Sequence, residues 1–151
     1  MGAKSDLHAF LTPQSVAVVG ATERPGAWGS FIMRGLLSLN YPGKIYPVNR
    51  QADQVFGVPA YKAIGEIKGP VEIAVLAIPE EFVEEAIMAC GQKRVKGITM
   101  ITAGFGETSE SGRERQERLA GLARSYGIRL LGPNVSGSFN LYAGFNASPR
   151  P

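Results

Sequence analysis

The chain has 151 residues, of which 44% are hydrophobic and 19% charged, with a net charge of +3; these values are typical of one globular domain. Its lysines and arginines are scattered, which argues against nucleic acid as a partner, and no apolar stretch reaches the ~20 residues of a membrane-spanning helix. Residues 1–6 lack the apolar core of a signal peptide and Cys90 is the single cysteine, so we expect a cytoplasmic protein without disulfides or a metal site.

The first predicted strand leads through a glycine-rich loop into a helix. Val16–Val19 is a run of apolar, mostly β-branched residues, the pattern of a strand buried on both faces. Glycines follow at positions 20, 26 and 29, and a helix is predicted over 29–39. Such a unit binds phosphate, because glycines let the main chain approach the anion and the helix N-terminus attracts it. A plain strand-to-helix turn is the alternative, and the spacing G-x5-G-x2-G differs from that of ordinary dinucleotide enzymes.

Strands and helices alternate along the rest of the chain. Further strands are predicted at Lys44–Val48, Ile73–Ile78, Gly97–Ile101 and Arg129–Leu131. Pro47 favours an edge position for the first of these, because proline cannot donate to a neighbouring strand. Residues 51–69 suggest short pieces, with an edge strand near Val58–Tyr61 and a helical turn near Ile64.

Two more helices and a polar tail complete the pattern. Pro79 is a plausible first residue of one helix, whose apolar face runs to Cys90. Ser111 and Glu114 have capping-box spacing, which predicts that another helix begins there and ends at Gly127. The tail after Asn134 resembles an inter-domain linker. We therefore predict a leader over 1–12, a domain over 13–146 and a linker stub over 147–151 that leads to a following domain.

This alternation predicts an α/β fold, a single Rossmann-like domain with a doubly wound, mainly parallel sheet. Ligands of such sheets bind beyond the carboxyl ends of the strands. In this sequence those ends are rich in Gly, Pro, Asn and Thr: residues 20–29, 49–50, 78–79, 102–105 and 132–134.

The end of the second strand narrows the choice of ligand. An NAD site normally has an acid there, whereas this chain has Asn49 and Arg50. Arg50 offers a fork of donors to a terminal phosphate, as NADP carries at the ribose 2′ position and coenzyme A (CoA) at the 3′ position. An ordinary surface arginine is the alternative. Trp28, at the predicted helix start, either covers the ligand or packs against the body of the domain.

Six segments occur in an order that resembles a known family: residues 16–29, 43–49, 73–79, 96–98, 101–105 and 131–134. The family is the CoA-binding domain of the NDP-forming acyl-CoA synthetases, the acetate–CoA ligase (ADP-forming) group, which is related to the succinyl-CoA synthetase α subunit. The resemblance covers about residues 10 to 148. It implies a Rossmann-like domain that binds the nucleotide end of CoA.

The resemblance also implies roles for individual residues along the ligand. The first CoA-contacting loop would hold Gly20, Thr22, Arg24, Pro25 and Gly26, to which we add Ala21 and Gly29. The remaining expected contacts are, in order, Asn49 and Arg50 by the adenosine and its 3′-phosphate, Ile78 and Pro79 beside the adenine or pantetheine, Thr102, Ala103 and Gly104 along the pantetheine arm, and Asn134 near the thiol.

Three positions depart from the family pattern. Arg50 and Gln51 stand where the family usually has Pro after the Val-Asn pair, with Lys nearby. Val135 stands where a Cys commonly follows Gly-Pro-Asn. The phosphorylated histidine of the family lies on a following domain, and the single histidine of this chain, His8, matches no such motif. We therefore expect no catalytic residue in this chain.

The resemblance implies that the parent enzyme joins an acid to CoA at the expense of an NTP, through acyl-phosphate and phosphohistidine intermediates. This chain would bind CoA or acyl-CoA, would be inactive alone, and would have the remaining domains or a β subunit as partners. Three alternatives stay open: a CoA-binding-like regulatory domain of a protein lysine acetyltransferase, a free-standing CoA-binding module, and an NADP-binding reductase fragment.

Overall fold

A computed structural model of the chain describes residues 6–149. Residues 1–5 of the predicted leader, and residues 150–151 of the predicted linker stub, lie outside the described residues. Within the described part, no helix is both long and apolar enough to cross a membrane.

The core of the fold is a five-stranded sheet with the strand order β2-β1-β5-β6-β7, in which every neighbouring pair is parallel. The main strands are β1 (Ser15–Val19), β2 (Lys44–Val48), β5 (Ile73–Leu76), β6 (Gly97–Met100) and β7 (Arg129–Leu131). The helices are α1 (Trp28–Ser38), α2 (Val83–Gln92) and α3 (Glu110–Ser125). Short strands β3 (Gln54–Val55), β4 (Val58–Pro59), β8 (Ser138–Asn140) and β9 (Phe145–Ala147) form two antiparallel hairpins.

Helices cover both faces of the sheet, which confirms the predicted doubly wound, Rossmann-like fold. Successive side chains of a strand point to opposite faces. Val16 and Val18 of β1 therefore pack with Ile32 and Leu36 of α1, while Ala17 packs on the other face, in the cluster that holds α2 and α3. This double burial explains the continuous apolar run of β1.

The structure confirms the edge position of β2 and shifts two predicted helix starts. Ser109, not Ser111, caps α3: its backbone is extended and its hydroxyl accepts from the amide of Gly112 at 3.0 Å. An N-cap needs this non-helical backbone, which Ser111, inside the first turn, does not have. Pro79 is also outside a regular helix, because it precedes a 3-10 turn over Glu80–Phe82 and α2 begins only at Val83.

The predicted linker character of the tail after Asn134 is wrong for residues 138–148. This stretch forms the β8–β9 hairpin, in which Phe145 and Ala147 are fully buried, so the predicted boundary at residue 146 falls inside β9. β9 packs on α1 so closely that a Cβ at Gly35 would lie 2.7 Å from the carbonyl oxygen of Asn146. The composition is polar, but Phe145 anchors the hairpin to the sheet face.

The segment predicted as a leader is also part of the fold where it is described. Asp6–Phe10 forms a 3-10 helix, in which Phe10 is buried with only 4% of its surface exposed. Its ring contacts Gly97 at the start of β6, where a Cβ would approach the ring to 2.5 Å. The described part of the predicted leader therefore covers the amino-terminal end of the sheet, opposite the carboxyl ends of the strands.

Candidate functional site

Two cavities open at the carboxyl ends of the strands and share the wall formed by Gly20, Ile78 and Pro79. The β2-side cavity has a volume of about 620 Å³ and the β6-side cavity about 510 Å³. The β2-side cavity is also lined by Asn49, Arg50, Lys62, Ile64, Phe82, Glu85 and Ala86, among others. The β6-side cavity is also lined by Thr22, Arg24, Gly26, Ala27, Trp28, Gly29, Glu80, Thr102, Ala103 and Asn134, among others.

The structure thus brings most of the expected site residues into one continuous region. Three are not among the described residues that line either cavity: Ala21, Pro25 and Gly104. Ala21 is fully buried beneath the loop, and Pro25 is exposed on it. Gly104 is hydrogen-bonded to Glu107 of its own loop and to Arg115 of α3.

Gly20 stands where three backbone segments meet. Its φ of +93° suits glycine, and a Cβ there would collide with the carbonyl oxygen of Ala77, just after β5. Its amide donates to the carbonyl of Val48 at 3.1 Å. A Cβ at Gly29 would in turn collide with the carbonyl oxygen of Gly20. Glycine at both positions therefore lets the first turn of α1 approach the main chain between the two cavities.

The N-terminus of α1 is left open toward the β6-side cavity. Its N-cap, Ala27, has no side chain that can cap the helix, and no described side chain caps it. The first turn, from Trp28 to Phe31, carries no acidic residue. The amides of Ser30 and Phe31 donate to the carbonyl of Ala27 at 3.0 and 3.2 Å. The amides of Trp28 and Gly29 and the positive end of the helix dipole favour an anion at such a position.

Asn49 connects the glycine loop to the loop after β2 through the two ends of its side-chain amide. Its Nδ2 donates to the carbonyl oxygen of Ala21 at 2.8 Å, and its Oδ1 accepts from the amides of Gln51 and Ala52, both at 2.8 Å. Lys62 strengthens the same corner, because its Nζ donates to the carbonyls of Gln51 (2.8 Å) and Ala52 (3.0 Å). Asn49 is therefore a positioning residue between β2 and the loop.

Arg50 reaches over the β2-side cavity from the end of β2. Its guanidinium lies 5.0 Å from the centre of the Phe82 ring and 3.6 Å from a carboxylate oxygen of Glu85. The side chains of Arg50 and Glu85 are 68% and 75% exposed, so their ion pair contributes little to stability. The arginine is held near the cavity by a contact that a phosphate can replace.

The floor of the β6-side cavity is fixed by hydrogen bonds between strand ends. The hydroxyl of Thr102 donates to the carbonyl of Ile78 at 2.7 Å. The amide of Asn134 donates to the carbonyl of Thr102 at 3.0 Å. These bonds tie the ends of β5, β6 and β7 together, so the cavity floor is preformed.

The loop after β6 carries a network of charged side chains beside this cavity. The carboxylate of Glu107 accepts from the amides of Gly104 at 2.5 Å and Phe105 at 3.2 Å. The hydrogen bond from Gly104 is the largest cause of the lowered pKa of Glu107. Arg115 donates to Glu80 at 2.9 Å and to the carbonyl of Gly104 at 3.0 Å. Gly104 therefore shapes this loop, and its amide is already bonded.

Four residues that line the cavities were not predicted from the sequence as site residues: Phe82, Glu85, Lys62 and Glu80. The spacing of Phe82 from Val83, Ala86, Ile87 and Cys90 fits the apolar face of a helix, but Phe82 lies in the 3-10 turn before α2 and is 37% exposed. The other three are charged side chains. Lys62 follows β4, Glu80 precedes α2 and Glu85 is in α2, so their position at a cavity depends on how these segments pack around the strand ends. No group of three or more His, Cys, Asp or Glu residues within 6–149 has the geometry of a metal site.

The family described as "CoA binding domain" matches residues 14–138 of this chain. The chain is 42% identical over 142 residues to the α subunit of acetate–CoA ligase (ADP-forming) II of Pyrococcus furiosus, covering 94% of this chain and 31% of the relative. It is 42% identical over 151 residues to the α subunit of acetate–CoA ligase (ADP-forming) I of the same organism, covering 96% of this chain and 32% of that relative.

A solved structure matches this chain with similar sequence identity and coverage. The dinucleotide-forming acetyl-coenzyme A synthetase 1 of Ca. Korarchaeum cryptofilum, in complex with phosphate and ADP, superposes with a TM-score of 0.92 at 39% identity. The match covers 96% of this chain and 31% of that one. The chain therefore spans about a third of the length of these relatives.

Proposed function

The chain belongs to the CoA binding domain family, and on that premise we propose that it binds CoA across the two cavities as part of an ADP-forming acyl-CoA synthetase. One observation carries the placement: the two cavities share a wall at Gly20, and the N-terminus of α1 lines the β6-side cavity beside that wall. A ligand with a diphosphate at its centre and a bulky group on each side fits this arrangement.

The adenosine and its 3′-phosphate belong in the β2-side cavity. Ile78, Pro79, Phe82 and Ala86 provide an apolar wall for a base, and Arg50 supplies a fork of donors at the rim. Because the guanidinium is solvated and only loosely paired with Glu85, a phosphate can replace the carboxylate at low cost.

The pantetheine arm then follows the β6-side cavity toward Asn134. Thr102 and Ala103 line this path, and the hydrogen bonds at its floor keep it open without the ligand. The thiol would emerge near Asn134, which also lines a third cavity, of about 700 Å³, beside α3. Reacting groups supplied from outside this chain would meet the thiol there.

The chemistry of acyl transfer lies outside this chain in our proposal. The phosphoryl-transfer residues would be supplied by further domains, such as those in the remaining two thirds of the relatives' length, or by a separate β subunit. The chain alone would bind CoA in the cytoplasm and would not turn it over. A mixture of the chain with acetate, ATP and CoA should therefore form no acetyl-CoA above the background without protein.

Ligand-dependent thermal unfolding tests the proposed function against an NADP-binding fragment. CoA at ~100 times its dissociation constant should raise the free energy of unfolding by about 2.7 kcal/mol. NADP and NADPH at the same concentration should produce no comparable increase in melting temperature, because their terminal phosphate is on the 2′ position and they lack pantetheine. A larger increase with NADPH than with CoA would contradict the proposal.

A further inference from the structure

Trp28 is the first residue of α1 and lines the β6-side cavity with 54% of its surface exposed. Its ring packs edge-on against Phe31, with the centroids 6.4 Å apart, and Phe31 is itself 39% exposed. Of these two rings, Trp28 places an exposed apolar surface at the cavity, whereas Phe31 is not among the described residues that line it. Single exposed apolar residues are common, so the position beside the cavity matters more than the exposure.

The position of Trp28 relates it to one part of the ligand. It belongs to the first turn of α1, where the open amides favour the diphosphate. The β2-side cavity, beyond Gly20, provides the arginine and the apolar wall suited to the adenosine. The next group along CoA is the pantoyl unit, whose two methyl groups directly follow the diphosphate and need an apolar contact.

We propose that Trp28 packs against the pantoyl methyl groups of CoA and thereby selects pantetheine-bearing nucleotides over the bare nucleotide. This inference rests on the proposed function and adds a specificity-determining residue to it. The same cavity is lined by Thr102 and Asn134, whose polar groups suit the amides of the same arm.

Because Trp28 is the single tryptophan, its fluorescence reports on this contact without any substitution. The probes are CoA and 3′-phospho-ADP, which keeps the whole nucleotide of CoA and lacks the pantetheine arm. CoA should shift the emission to shorter wavelength and protect it from acrylamide, because the indole becomes covered. 3′-phospho-ADP should bind and leave both properties nearly unchanged.

A variant measures the selectivity itself by calorimetry. Trp28→Ala should weaken CoA about tenfold, equivalent to about 1.4 kcal/mol, and change the affinity for 3′-phospho-ADP less than twofold. Phe31→Ala is the matched control, since it removes the adjacent exposed ring, which is not among the described residues that line the cavity. It should alter the ratio of the two affinities less than threefold.

Two results would separate this inference from the proposed function. In the first, CoA binds the native chain, but Trp28→Ala weakens CoA and 3′-phospho-ADP equally, or CoA leaves the emission of the native chain unchanged. Trp28 then does not select pantetheine, and the proposed function stands. If neither compound binds the native chain, both the inference and the proposed function are overturned.

Discussion

The side-chain amide of Asn49 donates a 2.8 Å hydrogen bond to the carbonyl oxygen of Ala21, which connects the end of β2 to the glycine loop after β1. The other end of the same amide accepts from Gln51 and Ala52. One side chain therefore fixes two of the loops that surround the β2-side cavity. The shape of the cavity depends on this residue, although its polar atoms are already paired within the protein.

Asn49→Asp isolates the connection to Ala21. The carboxylate keeps the acceptor for the amides of Gln51 and Ala52 but replaces the donor toward Ala21 by an oxygen that repels the carbonyl. We expect a loss of about 1 kcal/mol in stability and several-fold weaker CoA binding. Asn49→Ala, which loses all three bonds, should cost about 2 kcal/mol. Urea unfolding and calorimetry measure both, and unchanged CoA affinity in Asn49→Asp would contradict the positioning role.

Gly29→Ala should destabilise the protein, although alanine is the better helix former. A Cβ at this position would collide with the carbonyl oxygen of Gly20, so the helix must shift, at a cost of about 1–3 kcal/mol. Gly121→Ala in α3 is the matched control, because the nearest atom to its Cβ would be Nη2 of Arg124 at 3.8 Å. That variant should gain up to about 1 kcal/mol. Urea unfolding that ranks the two variants in the opposite order would refute the close approach.

Arg50→Ala should weaken CoA about tenfold and dephospho-CoA less than twofold, because only CoA carries the 3′-phosphate that the guanidinium would bind. Glu85→Gln should tighten CoA slightly, since it removes the carboxylate 3.6 Å from the arginine. Calorimetry of the native chain and both variants with both ligands measures the six affinities. Equal losses for CoA and dephospho-CoA in Arg50→Ala would show that Arg50 does not contact the 3′-phosphate.

Glu107→Gln should lower stability at neutral pH and have little effect in acid. The amide of Gly104 and those of Glu107 itself and Phe105 lower the pKa of Glu107 in the folded chain. The carboxylate therefore stabilises the fold above its ordinary pKa of about 4.3, and this contribution is lost as the pH falls through the lowered value. Unfolding of both proteins from pH 7 to pH 3 should show a difference that shrinks toward acid. A constant difference would mean that the charge plays no part.

The sequence was sufficient for the main architecture. The apolar run of β1 and its counterpart in β5 are buried on both faces, and short-range patterns of this kind report directly on such strands. Pro47 correctly placed β2 at an edge, because its missing amide proton excludes a central position. The glycines after β1 were predicted to let the main chain approach a phosphate; that Gly20 and Gly29 also let backbone segments approach each other is known only from the structure.

The helix starts and the tail were less accessible to sequence reasoning. Ser109 and Ser111 both carry the right side chain for a cap, and only the extended backbone at Ser109 decides between them. The β8–β9 hairpin has too few apolar residues for a periodic signal. Its burial depends on Phe145 reaching a sheet face formed by residues far away in the chain.

What the sequence alone determined is thus the alternation of strands and helices and the loops that carry glycine at the ligand-binding edge. Only the tertiary structure decided which atoms those loops meet: the carbonyl of Ala77 beside Gly20, the tether from Asn49 to Ala21, and Phe82 and Glu85 beside Arg50. The physical reason is the separation along the chain of the residues that interact. Strand and helix patterns come from neighbours a few residues apart, whereas each of these contacts joins segments that are brought together only when the sheet assembles.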